Sequence, residues 1–437
     1  MFSYYFKLGV RSLRRNPALT ALMILTLAVG VAASVSTLTI LHMMSGNPVP
    51  HKSSRLLVPL VDNGPVEGYT PRERPWNDQL SYKDATNLLA SGQGERRTVV
   101  YGTNVPVEPE RKDLGAFDAT GLAHTRDFFA MFEAPFRYGQ PWGESEDKAA
   151  ADVVVLSREL SERLFGDIDP VGKRVTLSGS RYQVVGVLDK WKVIPRYYRL
   201  IGGPGAFGAE YEFYIPFATA IRKEYGNWGS TSCNGDRGPG FQGFLDSECV
   251  WLQFWFETAA AGDRDELQDY LDSYAAEQRK LGRLMRNAPN KLYDVMEWLE
   301  FQRVVGNDSR LAVWLSFGFL LLCLVNTMGL LLAKFSARAA EVGIRRSLGA
   351  SRRDIFQQFL VETGVIGLAG GVLGLLLAFG SLALIGSQSK AMATVAQMDW
   401  IMLGFTFLLA VSAAVLAGLL PTWRACQVTP AVQLKSQ

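Results

Sequence analysis

The chain is poor in the residues that build catalytic and metal centres. It has four cysteines and three histidines in 437 residues. His42, His51 and His124 lie far from each other and from the cysteines, so no metal-ligand spacing is present. No Gly-rich loop ending in Lys and Ser or Thr occurs, which excludes nucleotide binding of that kind by this chain. The run at 203–208, GPGAFG, has loop-like glycines without the Lys and reads as a flexible loop. His-Glu-x-x-His and Gly-x-Ser-x-Gly are also missing. The acidic pairs Glu144/Glu146 and Asp167/Asp169 stand in turn-like segments and read as solvated turn residues. Neither a catalytic residue nor a bound metal or cofactor is expected. A net charge of +3 is too small to suggest nucleic-acid binding. The most telling lack is of Asp, Glu, Lys and Arg in four long stretches, about Ala18–Met44, Leu311–Ala333, Gly364–Ile385 and Trp400–Leu420.

Each stretch is near or above the ~20 residues that a helix needs to cross a bilayer core. The fold class expected is therefore α-helical membrane with four spans, plus an α+β extracytoplasmic domain of two lobes. Lys7, Arg11, Arg14 and Arg15 precede the first span without an acid, and 334–362 carries six basic residues against three acidic ones. Positive loops stay inside, so both termini are predicted cytoplasmic. The layout is an interfacial helix over 1–17, spans at 18–44, 311–333, 364–386 and 400–420, and an external domain over 45–310. An inner elbow at 334–363, an outer turn at 387–399 and a cytoplasmic tail at 421–437 complete it. The first apolar run is far longer than the ~7–15 residues of a signal-peptide core, so it is read as a retained anchor.

Cys233 and Cys249 lie in the external segment, in a stretch rich in Gly, Ser, Asn and Pro. In an oxidising compartment they are read as a disulfide that closes a loose loop, the alternative being two free thiols. Strands are expected at 56–61, 98–101, 152–157, 174–177, 182–188, 211–217 and 250–258. Helices are expected at 81–90, 124–132, 158–165, 263–283 and 292–301. Beyond 211–217, no element can be assigned in 191–247.

Within the membrane segments, Asn326 is the most polar residue of the second span and is expected to hydrogen-bond another helix. Gly367/Gly371 and Gly370/Gly374 form two small-x-x-x-small pairs that allow close helix approach. The elbow reads as a helix continuing the second span to Leu348, a stop at Gly349, and a new helix capped by Ser351. Asp354 stands where a capping box has Glu or Gln, so the box is expected to be imperfect. Ile355, Phe359 and Leu360 form the apolar side of the new helix. Arg345, Arg346, Arg352 and Arg353 are expected to meet acids at the rim of a partner's groove.

These residues carry a resemblance. The run NTMGLLLAKFSARAAEVGIRRSLGASRRDIFQQFLVE, 326–362, resembles the signature of MacB/FtsX-like ABC transporter permeases. The family's Arg-x-x-Glu-[Ile/Val]-Gly-x-Arg-x-x-x-Gly-Ala falls on Arg338, Glu341, Val342, Gly343, Arg345, Gly349 and Ala350. DVVVLSRELSERLFGDIDPVGKRV with YQVVGVL, at 152–175 and 182–188, is similar to the MacB-like periplasmic core domain. PTWRACQVTPAVQL at 421–434 resembles the family's closing segment, while 191–249 is the part without a match. The resemblance implies that the elbow docks on a nucleotide-binding subunit, with Arg346, Ser351, Arg353 and Asp354 beside the motif. It implies two ATPase subunits, carrying ATP and Mg, and a second permease chain, identical or related. The ATPase is expected to be a separate subunit. ATP-driven closure would then move the external domains by mechanotransmission, in the inner membrane of a bacterium. The implied function is efflux of a peptide, antibiotic or siderophore-like molecule with a periplasmic adaptor and an outer-membrane channel. Extraction of lipoproteins, FtsX-like signalling to a cell-wall hydrolase, and a scaffold without an ATPase are the alternatives. Membrane lipid is an expected contact and nucleic acid is not.

Overall fold

Long apolar runs without charge fold as helices, because only a helix satisfies its own backbone in a bilayer. Among the described residues, three helices of the computed structural model have the length and composition to span a membrane. The described residues are 16–67, 69, 75–111, 113–203, 205–286, 288–388 and scattered positions from 396 to 423. They form two compact units, one of 1–45 with 305–437 and one of 46–304.

In chain order the elements begin with α1 (Pro17–Ser45), β1 (Leu56–Leu60), β2 (Leu80–Ser81), α2 (Tyr82–Ala90), β3 (Arg96–Glu108) and β4 (Phe117–His124). Next come α3 (Phe128–Met131), β5 (Phe136–Gly139), α4 (Glu144–Lys148), β6 (Val153–Leu156), α5 (Arg158–Phe165), β7 (Arg174–Leu177) and β8 (Ser180–Leu188). They continue with β9 (Phe213–Pro216), α6 (Phe217–Arg222), α7 (Gly240–Asp246), β10 (Val250–Glu257), α8 (Arg264–Lys280), β11 (Lys291–Tyr293) and α9 (Val295–Phe301). The last are α10 (Asn307–Ser336), α11 (Ala339–Ser347) and α12 (Arg352–Gln388).

The unit 46–304 is built on one mixed sheet in the order β11-β1-β10-β3-β4-β9-β6-β8-β5, with β2 on β10 and β7 on β3 and β8. β4–β9 and β6–β8 are parallel, and the other pairs are antiparallel. Two lobes were expected, but the strands join without a break. The reason is β3, whose 13 residues pair with β10, β4 and β7 and so bridge both halves. Successive side chains of a strand face opposite ways, and here both faces are covered. Leu57, Val99, Tyr101, Phe254 and Phe256 enter one core with α2, α5 and α8. Leu56, Val58, Val100 and Trp255 enter the other with α3, α9 and the segment Trp191–Ile201. All eight residues of β10 are buried, which is why VWLQFWFE is mostly apolar rather than alternating apolar and polar.

Two expected helices start later than their pattern suggests. At 124–132 the chain ends β4 at His124 before α3 begins. At 292–301 it first pairs β11 with β1, and only then does Asp294 cap α9 through a reciprocal box with Glu297. The segment Trp191–Ile201 adds Trp191, Tyr197 and Tyr198 to the second core, with Tyr198 stacked on Trp191 at 5.0 Å. Cys233 and Cys249 are disulfide-bonded, which ties the loop 230–249 to the start of β10.

In the other unit, α1 packs against both α10 and α12. A Cβ on Gly370 would stand 3.0 Å from Leu27 Cβ, and one on Gly374 3.0 Å from Val31 Cβ, so these two glycines permit the close approach of α12 to α1. Gly367 and Gly371 are also buried. Hydroxyls add bonds across the helices: Ser34 Oγ donates to Ser316 O at 3.0 Å, and Ser36 and Ser381 share a bond of 2.7 Å. Among the described residues, Asn326 makes no hydrogen bond across to α1 or α12 that would fix its role within this chain. It lies on the exposed face of α10, while Thr327, one step of 100° around, is buried and donates to Cys323 O at 2.8 Å. The fourth block, 400–420, is described only in part. There Leu409 packs on the α1 cluster, and a Cβ on Gly418 would collide with Thr363. The expected interfacial helix 1–17, the turn 387–399 and the tail 421–437 fall almost wholly outside the described residues.

Candidate functional site

The elbow between α10 and α12 is where the sequence concentrates charge beside apolar helices. The helix of the second span does not run on to Leu348. It stops at Ser336, because Arg338 adopts φ −105° and ψ 10° and leaves the helical path. The turn aims the Arg338 side chain at Glu362, whose carboxylate is 1 % exposed. Arg338 Nη1 lies 3.1 Å from Glu362 Oε2, and Lys334 Nζ lies 2.7 Å from Oε1 with its own side chain 0 % exposed. One buried carboxylate on α12 thus holds Lys334 near the end of α10 and Arg338 in the turn that follows it. A buried charge survives only when paired in this way.

α11 ends in a Schellman turn. Ala350 N donates to Arg345 O at 3.0 Å and Gly349 N to Arg346 O at 3.2 Å, with Gly349 at φ 100°. A Cβ at Gly349 would meet nothing within 4 Å, so the left-handed backbone is the reason for glycine there. α12 starts at once. Asp354 N donates to Ser351 Oγ at 3.2 Å, and Ser351 N to Asp354 Oδ2 at 3.1 Å. The capping box expected to be imperfect is therefore complete, since an Asp at this position reaches back far enough.

Inside the elbow, Val342, Ile355 and Phe359 are buried against Leu331, Phe335, Ile366, Met23 and Leu27. Phe335 and Phe359 stack at 4.3 Å. Leu360, expected on the same side, is only half-buried, and the next buried position is Glu362. Arg345, expected to point at a partner, is held within the elbow. Its guanidinium donates to Gln358 Oε1 at 2.9 Å and to Glu341 Oε1 at 2.6 Å. Gly343 and Arg346 are half-buried, whereas Arg352 and Arg353 are exposed.

The tip carries a feature that the motif did not single out. Ile344 is 60 % and Leu348 82 % exposed, four residues apart on one face of α11. An apolar pair at the apex with Arg352 and Arg353 beside it is the composition of an interface anchor with a basic rim. The signal was present in the sequence as two apolar residues on the face of α11 opposite Val342. Among the described residues, no group of three or more His, Cys, Asp or Glu is placed to hold a metal.

Comparison with known proteins follows the same division of the chain. Residues 20–274 match the family described as the MacB-like periplasmic core domain, and 313–430 match the FtsX-like permease C-terminal family. The macrolide export ATP-binding/permease protein MacB of Bdellovibrio bacteriovorus is 25 % identical over 274 residues, 62 % of this chain and 37 % of its own length. The pyoverdine export ATP-binding/permease protein PvdT of Pseudomonas syringae pv. tomato is 25 % identical over 314 residues, 71 % of this chain and 42 % of its own. MacB of Hyphomonas neptunium is 24 % identical over 448 residues, covering 99 % of this chain and 60 % of itself. This chain therefore spans between 37 % and 60 % of the length of these relatives.

Proposed function

The chain belongs to the MacB/FtsX-like family of ABC transporter permeases, and from that membership we propose that it converts ATP hydrolysis on a separate ATPase subunit into movement of its external domain. The observation that carries this reading is the braced elbow. Glu362 fixes α10 to α12, a Schellman turn and a capping box fix the turn between α11 and α12, and Ile344 and Leu348 are exposed at the tip. A docking element that is to transmit force must be stiff behind and adhesive in front, and this one is both.

In the proposed cycle, two ATPase subunits close on ATP with Mg and shift the elbows of two permease chains. α10 and α12 carry the shift outward as rigid rods. The coupling requires that ATP binds one arrangement of the elbows more tightly than the other. The basic elbow lies in the cytoplasm and the unit 46–304 outside, as the distribution of Lys and Arg supports. Asn326, exposed on α10, faces the second permease chain rather than lipid, because a polar side chain in hydrocarbon is costly. The cargo is a peptide, antibiotic or siderophore-like small molecule exported with a periplasmic adaptor and an outer-membrane channel. Support comes from the size of the external domain and from relatives whose names record macrolide and pyoverdine export.

The test is ATPase stimulation by the permease in nanodiscs. Replacing Glu341 and Gly349 is expected to abolish stimulation while the chain stays folded and helical. Unchanged stimulation in that variant would remove the docking assignment.

A further inference from the structure

A second buried carboxylate repeats, in the external unit, the arrangement seen at the elbow. Glu257 at the end of β10 is 1 % exposed. Three cations converge on it. Lys52 Nζ lies 2.8 Å from Oε1, Arg55 Nη2 3.5 Å from Oε1, and Arg96 Nη1 3.2 Å from Oε2. Lys52 is itself buried and also donates to Met131 O at 2.9 Å. Arg55 Nε donates to Thr258 O at 2.7 Å, and Thr258 N donates to Arg55 O at 2.9 Å. The same row runs through the sheet, where Leu56 of β1 pairs with Glu257 and Glu257 pairs with Arg96 of β3.

The place of this cluster in the chain gives it meaning. Lys52 and Arg55 stand on the short link between the end of α1 at Ser45 and the start of β1 at Leu56. The other link to the membrane helices, α9 and β11 before α10, joins the same strand. β11 pairs with β1, and Val295, Trp298 and Leu299 share a core with Leu56, Val58 and Trp255. Both covalent connections thus enter the sheet at β1, and Glu257 is the buried charge that ties the incoming link to β10 and β3, with the more exposed Glu95 also pairing with Arg55 at 3.0 Å and Arg96 at 3.2 Å. Replacing both Lys52 and Glu257, the two buried members, by apolar residues would fill the site without desolvating a charge.

We infer that Glu257 is a positioning residue for force transmission: with Lys52, Arg55 and Arg96 it locks the link leaving α1 to β10 and β3, so that a displacement of the helix moves the sheet as one body. The inference rests on the mechanotransmission reading above and names the residues that receive the movement. Hydrogen exchange of the permease–ATPase complex, measured with and without ATP and vanadate, tests it. In the wild-type complex, nucleotide trapping is expected to change protection in 46–55 and also in β10 and β3. In Glu257→Gln the change persists in 46–55 and is lost in β10 and β3. Because that variant leaves Lys52 buried without its partner, Lys52→Met/Glu257→Gln is measured beside it. The double variant should show wild-type protection without nucleotide and the same loss of response. A role in stability alone would lower protection equally with and without nucleotide and leave the response in β10 and β3, and that result overturns the inference. Absence of any nucleotide response in 46–304 of the wild-type complex would instead overturn the mechanotransmission reading itself.

Discussion

Glu362→Gln removes the charge that holds Lys334 and Arg338 while keeping the size of the side chain. The Lys334 side chain is 0 % and the Glu362 side chain 1 % exposed, so water cannot replace the lost partner. Breaking a buried pair on one side costs ~3–5 kcal/mol, because the remaining cation stays desolvated. The exposed pair Glu341–Arg345 supplies an internal control. Its side chains are 38 % and 41 % exposed, so Glu341→Gln should cost only ~0.3–0.5 kcal/mol. Lys334→Met/Glu362→Gln removes both charges and should recover most of the loss, since an apolar replacement of a buried pair is often neutral. The assay is reversible unfolding of the detergent-solubilised chain, followed by circular dichroism. A loss below ~1 kcal/mol in Glu362→Gln, comparable with an exposed pair, would show that the carboxylate is hydrated and that the brace does not exist.

Two further outcomes follow from the external domain. His124 is fully buried, stacked on Phe128 and Trp142, and burial pushes its pKa down to about 3. The folded state then refuses a proton that the unfolded chain accepts near pH 6.5, so its contribution is full above 6.5 and is lost as pH falls toward 3, by about 2 kcal/mol at pH 5. His124→Phe should flatten that part of the stability–pH curve, and an unchanged slope would place the titration elsewhere. The Cys233–Cys249 bond closes a 16-residue separation, for which chain entropy predicts ~3 kcal/mol. Cys233→Ser/Cys249→Ser should lower the melting temperature of the external domain accordingly, and a melting temperature equal to wild type in non-reducing buffer would contradict this.

Much of this organisation is legible in the sequence because it is local. The apolar runs, the glycine stop at Gly349, the Ser351 cap and the helix at 158–165 each follow from residues a few positions apart. What was not legible depends on contacts across distance. Glu362 looks like one more loop charge until α12 folds back beside Lys334 and Arg338. Arg345 looks free until Gln358 arrives from the next helix. Asn326 and Thr327 are adjacent, and only the position of α1 decides which is buried. The sheet hid its unity for a similar reason. β3 joins both halves through non-local pairs that periodicity cannot reveal. The aromatic segment Trp191–Ile201 has no period because it fills a core as irregular chain.

The docking role proposed for the elbow tip makes Ile344 and Leu348 the surface through which an ATPase subunit would drive the chain. The most direct measurement is ATP hydrolysis by the partner ATPase in nanodiscs with the wild-type chain and with Ile344→Asp/Leu348→Asp. Both side chains are exposed in the chain itself, so the substitution leaves the fold intact and places two charges in the docking surface. Docking through the tip predicts stimulation with the wild type and loss of both stimulation and co-purification with the variant. Equal stimulation by the two proteins would contradict it.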